Sequence, residues 1–114
     1  MTGKNKVLIV DDAEIDRIAL RKILNDDYEI VEAENGQQAL NILDAQTERD
    51  TIAAVLLDLV MPELSGYQFM QEYQKIETYR RIPVIVATVE GDLATERECL
   101  ELGAWDFVSK PYDP

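Results

Sequence analysis

Three short stretches of the chain are apolar without a break: Val7-Leu-Ile-Val10, Ile52-Ala-Ala-Val-Leu-Leu57 and Val84-Ile-Val-Ala87. A strand with one wet face alternates apolar and polar side chains, so stretches that do not alternate read as strands buried on both faces. A weaker pair, Glu29-Ile-Val-Glu-Ala33 and Trp105-Asp-Phe-Val108, brings the predicted strands to five. The gaps between them are too long for hairpins and carry helical spacing instead. Ile15, Ile18, Ala19 and Ile23 follow the first strand, and Ala39, Leu40 and Leu43 follow Asn35-Gly-Gln-Gln38, which has capping-box form. Ser65-Gly-Tyr-Gln68 repeats that start signal ahead of a stripe of Phe69, Met70, Tyr73 and Ile76. The last helix is predicted from about Leu93 to Leu102, anchored by Leu93, Leu100 and Leu102 and stopped by Gly103. Its apolar stripe is thin, so it should be the least firmly docked.

Strand and helix in alternation imply right-handed crossovers and a parallel sheet covered on both sides. The 114 residues fit one domain, with no repeat or linker. The chain stops at Pro114, directly after the fifth strand, where a helix covering one side of the sheet is expected. The domain is therefore expected to be a piece of a longer protein, cut before its fifth helix, and the uncovered side is expected to favour self-association.

Parallel strands all end on the same edge, and that edge binds ligands where the strand order reverses. The first strand ends in Asp11-Asp12, the third in Asp58, the fourth in Thr88 and the fifth in Ser109-Lys110-Pro111. If the first and third strands are neighbours, three carboxylates converge, and burying them unpaired costs several kcal/mol. A cation must sit among them. Lys110 supplies one charge, and Mg²⁺, with its preference for oxygen ligands and retained waters, is the natural remainder. The result is a phosphoryl-transfer site in outline. Each residue also has a plainer reading: Asp11 with Glu14 as a capping box, Asp58 before Met61-Pro62 as a turn former, Thr88 as a strand residue, Lys110 as solvated surface. The functional reading rests on all of them falling on one rim. Glu48 to Asp50 and Glu96 to Glu101 read as solvated surface, and Trp105 and Cys99 as packing residues.

Composition narrows the chemistry. With no His and one Cys, Cys/His zinc sites, histidine-activated nucleophiles and a disulfide framework are excluded. Eleven basic residues against 23 acidic ones give a formal charge of -12, which disfavours nucleic acid as a partner. No stretch resembles a targeting peptide or a membrane span, and the chain reads as cytoplasmic.

Val-Leu-Ile-Val-Asp11-Asp12, Leu-Leu-Asp58-Leu-Val-Met-Pro62-Glu-Leu-Ser-Gly66, Pro83-Val-Ile-Val-Ala-Thr88 and Lys110-Pro111, in this order and spacing, resemble the receiver domain of bacterial two-component response regulators. Glu34-Asn-Gly36 and Leu102-Gly-Ala104 add to the resemblance, which covers nearly the whole chain. It implies a flavodoxin-like, doubly wound five-stranded parallel sheet of order 2-1-3-4-5. It implies Asp58 as phosphoacceptor, taking a phosphoryl group from the phosphohistidine of a sensor histidine kinase or phosphotransfer protein, or from a small donor such as acetyl phosphate. Asp12 and Asp58 would ligate Mg²⁺ directly and Asp11 through water, with the backbone carbonyl of Val60 as a further ligand. Lys110 would hold a phosphoryl oxygen, Thr88 would hydrogen-bond another, and Phe107 takes the place of the family's rotating switch aromatic. The partner acted on would be an output domain beyond Pro114 or a separate effector.

The chain departs from the family's pattern in places. Val89 stands where the family usually has Ala or Gly, and its methyls are expected to narrow access, slowing phosphorylation and hydrolysis together. Val60, two residues after Asp58, cannot position an attacking water, though Glu90 could. Phe107 lacks the hydroxyl of a tyrosine. Two other readings compete with a phosphorylation switch that turns over no external substrate. An aspartyl-nucleophile phosphatase of the haloacid-dehalogenase kind would carry a second Asp where Val60 stands. A pseudo-receiver, a scaffold that never takes phosphate, is opposed by the complete set of Asp11, Asp12, Asp58, Thr88 and Lys110. Nucleotide-binding loops of the G-x-x-x-x-G-K-[ST] or G-x-G-x-x-G kind are absent from the sequence.

Overall fold

A computed structural model describes residues 5–46, 51–59, 66–89 and 93–110 of the chain; the side chains of Thr88, Val89, Thr95, Ser109 and Lys110 lie outside that description. The elements run β1 (Asn5–Val10), α1 (Glu14–Leu24), β2 (Tyr28–Ala33), α2 (Gly36–Ala45), β3 (Ile52–Asp58), α3 (Gly66–Lys75), α4 (Glu77–Arg80), β4 (Val84–Val89), α5 (Leu93–Glu101) and β5 (Asp106–Lys110). All strand pairs are parallel, in the order β2-β1-β3-β4-β5. This is the flavodoxin-like arrangement expected from the sequence. Four-residue α4 carries no helical period and was not foreseen.

The two sides of the sheet are packed unequally. Leu8, Val10, Val55, Leu57, Val84 and Val86 point to one side and meet Leu43 of α2, Phe69, Met70 and Tyr73 of α3 and Cys99 of α5, all nearly without solvent exposure. Among the described residues the cluster on the other side is small: Val7, Ile9 and Leu20 are buried, with Leu24, Ile30 and Leu56 partly covered. Thus β1 is buried on both sides from Val7 to Val10, as its unbroken run requires, whereas β3 shows a half-buried pattern. The β3 pairing slips between Lys6↔Ile52 and Val7↔Ala54, which leaves Ala53 as an exposed bulge residue.

Helix ends follow local chemistry. Asn35 caps α2, its side chain accepting from the Gln38 N–H at 2.8 Å; Gln38 reaches back to the N–H of Glu34 rather than to that of Asn35 itself. At Gly103 the backbone turns left-handed (φ 104°), and α5 closes with Gly103 N–H to Leu100 carbonyl and Ala104 N–H to Cys99 carbonyl, the pairing of a Schellman motif. The Tyr73 hydroxyl donates to the Ile82 carbonyl at 2.7 Å, and burial raises its pKa above the ordinary tyrosine value.

Several expectations need correcting. Leu93 and Leu100 are exposed, so α5 packs on the core through Cys99 and the partly buried Leu102, and Glu96 is buried rather than solvated. Trp105 is 59% exposed and is not a core packing residue, although its backbone N–H bonds the Val84 carbonyl at 2.9 Å. A helix with so few apolar positions has to bury the polar ones its geometry turns inward.

Candidate functional site

Register alone brings the acids together. Val10 pairs with Leu57 across β1 and β3, so the residues that follow each, Asp11 and Asp58, leave adjacent strands at the same level. Each of Asp11, Asp12 and Asp58 offers an oxygen within 4.8 Å of the others. Asp11 is buried, Asp58 partly buried and Asp12 exposed, so the acidic cluster meets solvent at Asp12. Oxygen donors packed this closely fit a hard divalent cation, whose charge would offset their mutual repulsion.

The β1–α1 corner is built around Asp11. Its N–H donates to the Ala33 carbonyl at 3.1 Å, and its Oδ1 accepts the Ala13 N–H at 2.9 Å. That second bond replaces the capping box expected between Asp11 and Glu14. The N-cap of α1 is Ala13, whose methyl group has no acceptor to offer, and the Asp11 carboxylate closes the turn by taking the Ala13 N–H. The Asp11 carbonyl in turn accepts from Arg17 Nη1 at 2.7 Å. Arg17 lies on the inner face of α1, and its Nε donates to Glu32 Oε1 at 3.0 Å, while its Nη2 lies 3.6 Å from Glu34. Arg21 also bonds Glu32. The Arg21 hydrogen bond, followed by that of Arg17, holds the Glu32 pKa below the usual carboxylate range against the opposing effect of burial.

Gly66 positions the other wall. Its N–H donates to the Leu59 carbonyl at 2.9 Å, and a Cβ there would lie 2.5 Å from both the Asp58 carbonyl oxygen and the Leu59 Cα. Only glycine lets α3 start this close to the strand end that carries Asp58.

Thr88, one residue before the end of β4, and Lys110, the last of β5, lie on the same rim, where Thr88 pairs with Ser109 and Val89 with Lys110, but their side chains lie outside the described residues. Val60 and Glu90 lie outside them as well. Phe107 is half-buried against the main core. Sequence reading missed Arg17, Glu32 and the close approach at Gly66. Helical spacing predicts the apolar stripe of α1 on Ile15, Ile18, Ala19 and Ile23, whereas Ile15 and Ile18 are exposed and Arg17 and Leu20 are the residues turned inward. A glycine at a helix start was the one signal for Gly66.

The chain matches the response regulator receiver domain family over residues 7–114. It is 41% identical over 117 residues to ycf27 of Cyanophora paradoxa, named a probable transcriptional regulator, covering 98% of this chain and 44% of that protein. It is 30% identical to the two-component response regulator ORR5 of Oryza sativa subsp. japonica, covering 98% of this chain and 82% of that one. Among solved structures, the receiver domain of the sensor histidine kinase PA1611 from Pseudomonas aeruginosa PAO1, with a magnesium ion coordinated in its active site cleft, superposes with a TM-score of 0.83 at 28% identity, covering 97% and 88% of the two chains. The signal receiver domain of a histidine kinase from Syntrophus aciditrophicus gives 0.82 at 30% identity, covering 96% and 80%. The chain spans about two fifths of the length of the ycf27 relatives it matches. It belongs to the response regulator receiver family, whose members are signalling domains.

Proposed function

We propose that this receiver domain is a phosphorylation-dependent switch in which Asp58 is the phosphoacceptor. The observation that supports it most is the meeting of Asp11, Asp12 and Asp58 oxygens within 4.8 Å at the ends of adjacent strands. A carboxylate is a weak nucleophile, so the site must work by alignment and by neutralising the donor's charge. An Asp58 oxygen attacks phosphorus and the P–N bond to a phosphohistidine of a sensor histidine kinase or phosphotransfer protein breaks. The electron pair leaves on the imidazole nitrogen, which takes up a proton; from acetyl phosphate, acetate leaves instead.

Asp12 and Asp58 would hold Mg²⁺ directly and Asp11 through water, with the Val60 carbonyl as a further ligand. Bound there, the cation supplies positive charge to the phosphoryl oxygens during transfer. Lys110 holds one phosphoryl oxygen as a point charge, and Thr88 donates its hydroxyl to another. The product carries a group of about two negative charges, which draws Thr88 inward and vacates space for Phe107. Helix α5, with its few apolar anchors, is the element that shifts. A coupling of about 1–3 kcal/mol is enough to change which surface is presented to an output domain or a separate effector.

No helix among the described residues is long and apolar enough to cross a membrane, which suits a cytoplasmic switch. The thinly covered side of the sheet is where the closing helix of such a domain would lie, or a second copy of the chain. The test is intact-mass measurement after incubation with acetyl phosphate and Mg²⁺. One phosphoryl group on the parent and none on Asp58→Asn is the expected result. An unmodified parent, or equal labelling of both, would overturn the reading, and repeated turnover of a model phosphate ester would favour a phosphatase.

A further inference from the structure

We propose that Arg17 is a positioning residue for the acid pair at the end of β1, acting on the site through the Asp11 backbone. The inference rests on the reading of Asp11, Asp12 and Asp58 as a divalent-cation and phosphoacceptor site. Arg17 occupies the inward stripe of α1 together with Leu20 and Leu24, a place where an aliphatic side chain would pack without electrostatic cost. Its side chain is only 9% exposed. A buried guanidinium is tolerated only when its charge is balanced and its donors are used. Here Glu32 and Glu34, from the end of β2 and just beyond it, balance the charge, and the donor left over is aimed at the Asp11 carbonyl at 2.7 Å.

The grip therefore runs from the edge strand to the residue that shapes the acidic corner. Asp11 is held at its N–H by Ala33, at its carboxylate by Ala13 and at its carbonyl by Arg17. The carbonyl fixes the plane of the peptide leading into Asp12, and so fixes how Asp12 leaves the strand toward Asp58. Glu32 and Glu34 also occupy the guanidinium, so that it holds the backbone without being drawn onto the Asp11 or Asp12 carboxylates. Only a planar fork with several donors can serve the carbonyl and Glu32 together; an ammonium serves them poorly.

The test is the Mg²⁺ dissociation constant, read from the amide chemical shifts of Ala13 and Leu59 during titration, together with Tm for each protein. Arg17→Met is expected to weaken Mg²⁺ binding by about tenfold, the usual effect of losing a supporting contact around a metal site. Arg17→Lys should fall between parent and Arg17→Met. Leu20→Ala, which loosens the same helix by packing alone, should lower Tm yet leave the Mg²⁺ constant within about twofold of the parent. If Arg17→Met does not fold, Arg17→Lys decides, with several-fold weakening expected. A folded Arg17 variant that binds Mg²⁺ like the parent overturns the inference and leaves the phosphoacceptor reading standing. So does Leu20→Ala weakening Mg²⁺ as much as Arg17→Met. A parent that binds no Mg²⁺ overturns both.

Discussion

The two sides of the sheet are held by different physics. On one, α2, α3 and α5 bury Leu43, Phe69, Met70, Tyr73 and Cys99 against β1, β3 and β4 with almost no exposed apolar surface. On the other, α1 contributes Leu20 as its only fully buried apolar residue, and a groove of about 290 Å³ stays open beside Val7, Leu24, Leu56 and Ile85. What α1 lacks in packing it makes up in charge, through Arg17 and Arg21 on Glu32. The thick side sets how stable the domain is. The thin side, which ends at the acidic corner, sets how well that corner is formed. Stability and site geometry should therefore respond to different substitutions.

The sharpest way to break this comparison is to empty the thick side. Phe69→Ala removes a fully buried ring and should cost about 3–5 kcal/mol of unfolding free energy in denaturant titration. Leu20→Ala, on the thin side, should cost about 2 kcal/mol, since its neighbours are already part-exposed and can relax into the gap. Equal losses at the two positions would contradict the asymmetry.

A smaller effect concerns charge and has a definite sign. Glu32 has its pKa lowered in the folded state, chiefly by Arg21, so its ionic contribution is complete above the ordinary glutamate pKa. That contribution is lost as pH falls through the lowered value. Glu32→Gln should therefore be less stable than the parent at neutral pH, and the gap should close on acidification. Because Glu32 is 30% exposed, the gap should be modest. Chemical denaturation at several pH values reads it, and a gap independent of pH would contradict the assignment. The smallest effect lies on α5: Leu93→Ser, at a side chain 71% exposed, should change stability by no more than about 0.5 kcal/mol.

The same contrast explains what could be read from the sequence. Parallel strands ending in polar residues were legible because unbroken apolar runs call for burial on both faces; the strand order, and with it the meeting of the acids, followed from the resemblance to receiver domains. Gly103 was legible because a helix stop needs a residue that tolerates positive φ. Arg17 was not, since an arginine between Asp16 and Ile18 looks like any solvated helix position until β2 brings Glu32 beside it. The inward turn of Glu96 and the exposure of Trp105 were hidden for a related reason. Which side of a charged helix faces the sheet is marked by Cys99 and Leu102, not by Leu93 and Leu100. Asp11 capping Ala13 instead of pairing with Glu14 follows from a turn one residue tighter than a capping box allows.

The central claim concerns which carboxylate takes the phosphoryl group, so the most direct measurement locates that group on the chain. Phosphorylation with acetyl phosphate and Mg²⁺, reduction of the acyl phosphate with borohydride and peptide mapping should yield homoserine at position 58 alone. Homoserine at position 11 or 12, or at none of the three, would contradict the account.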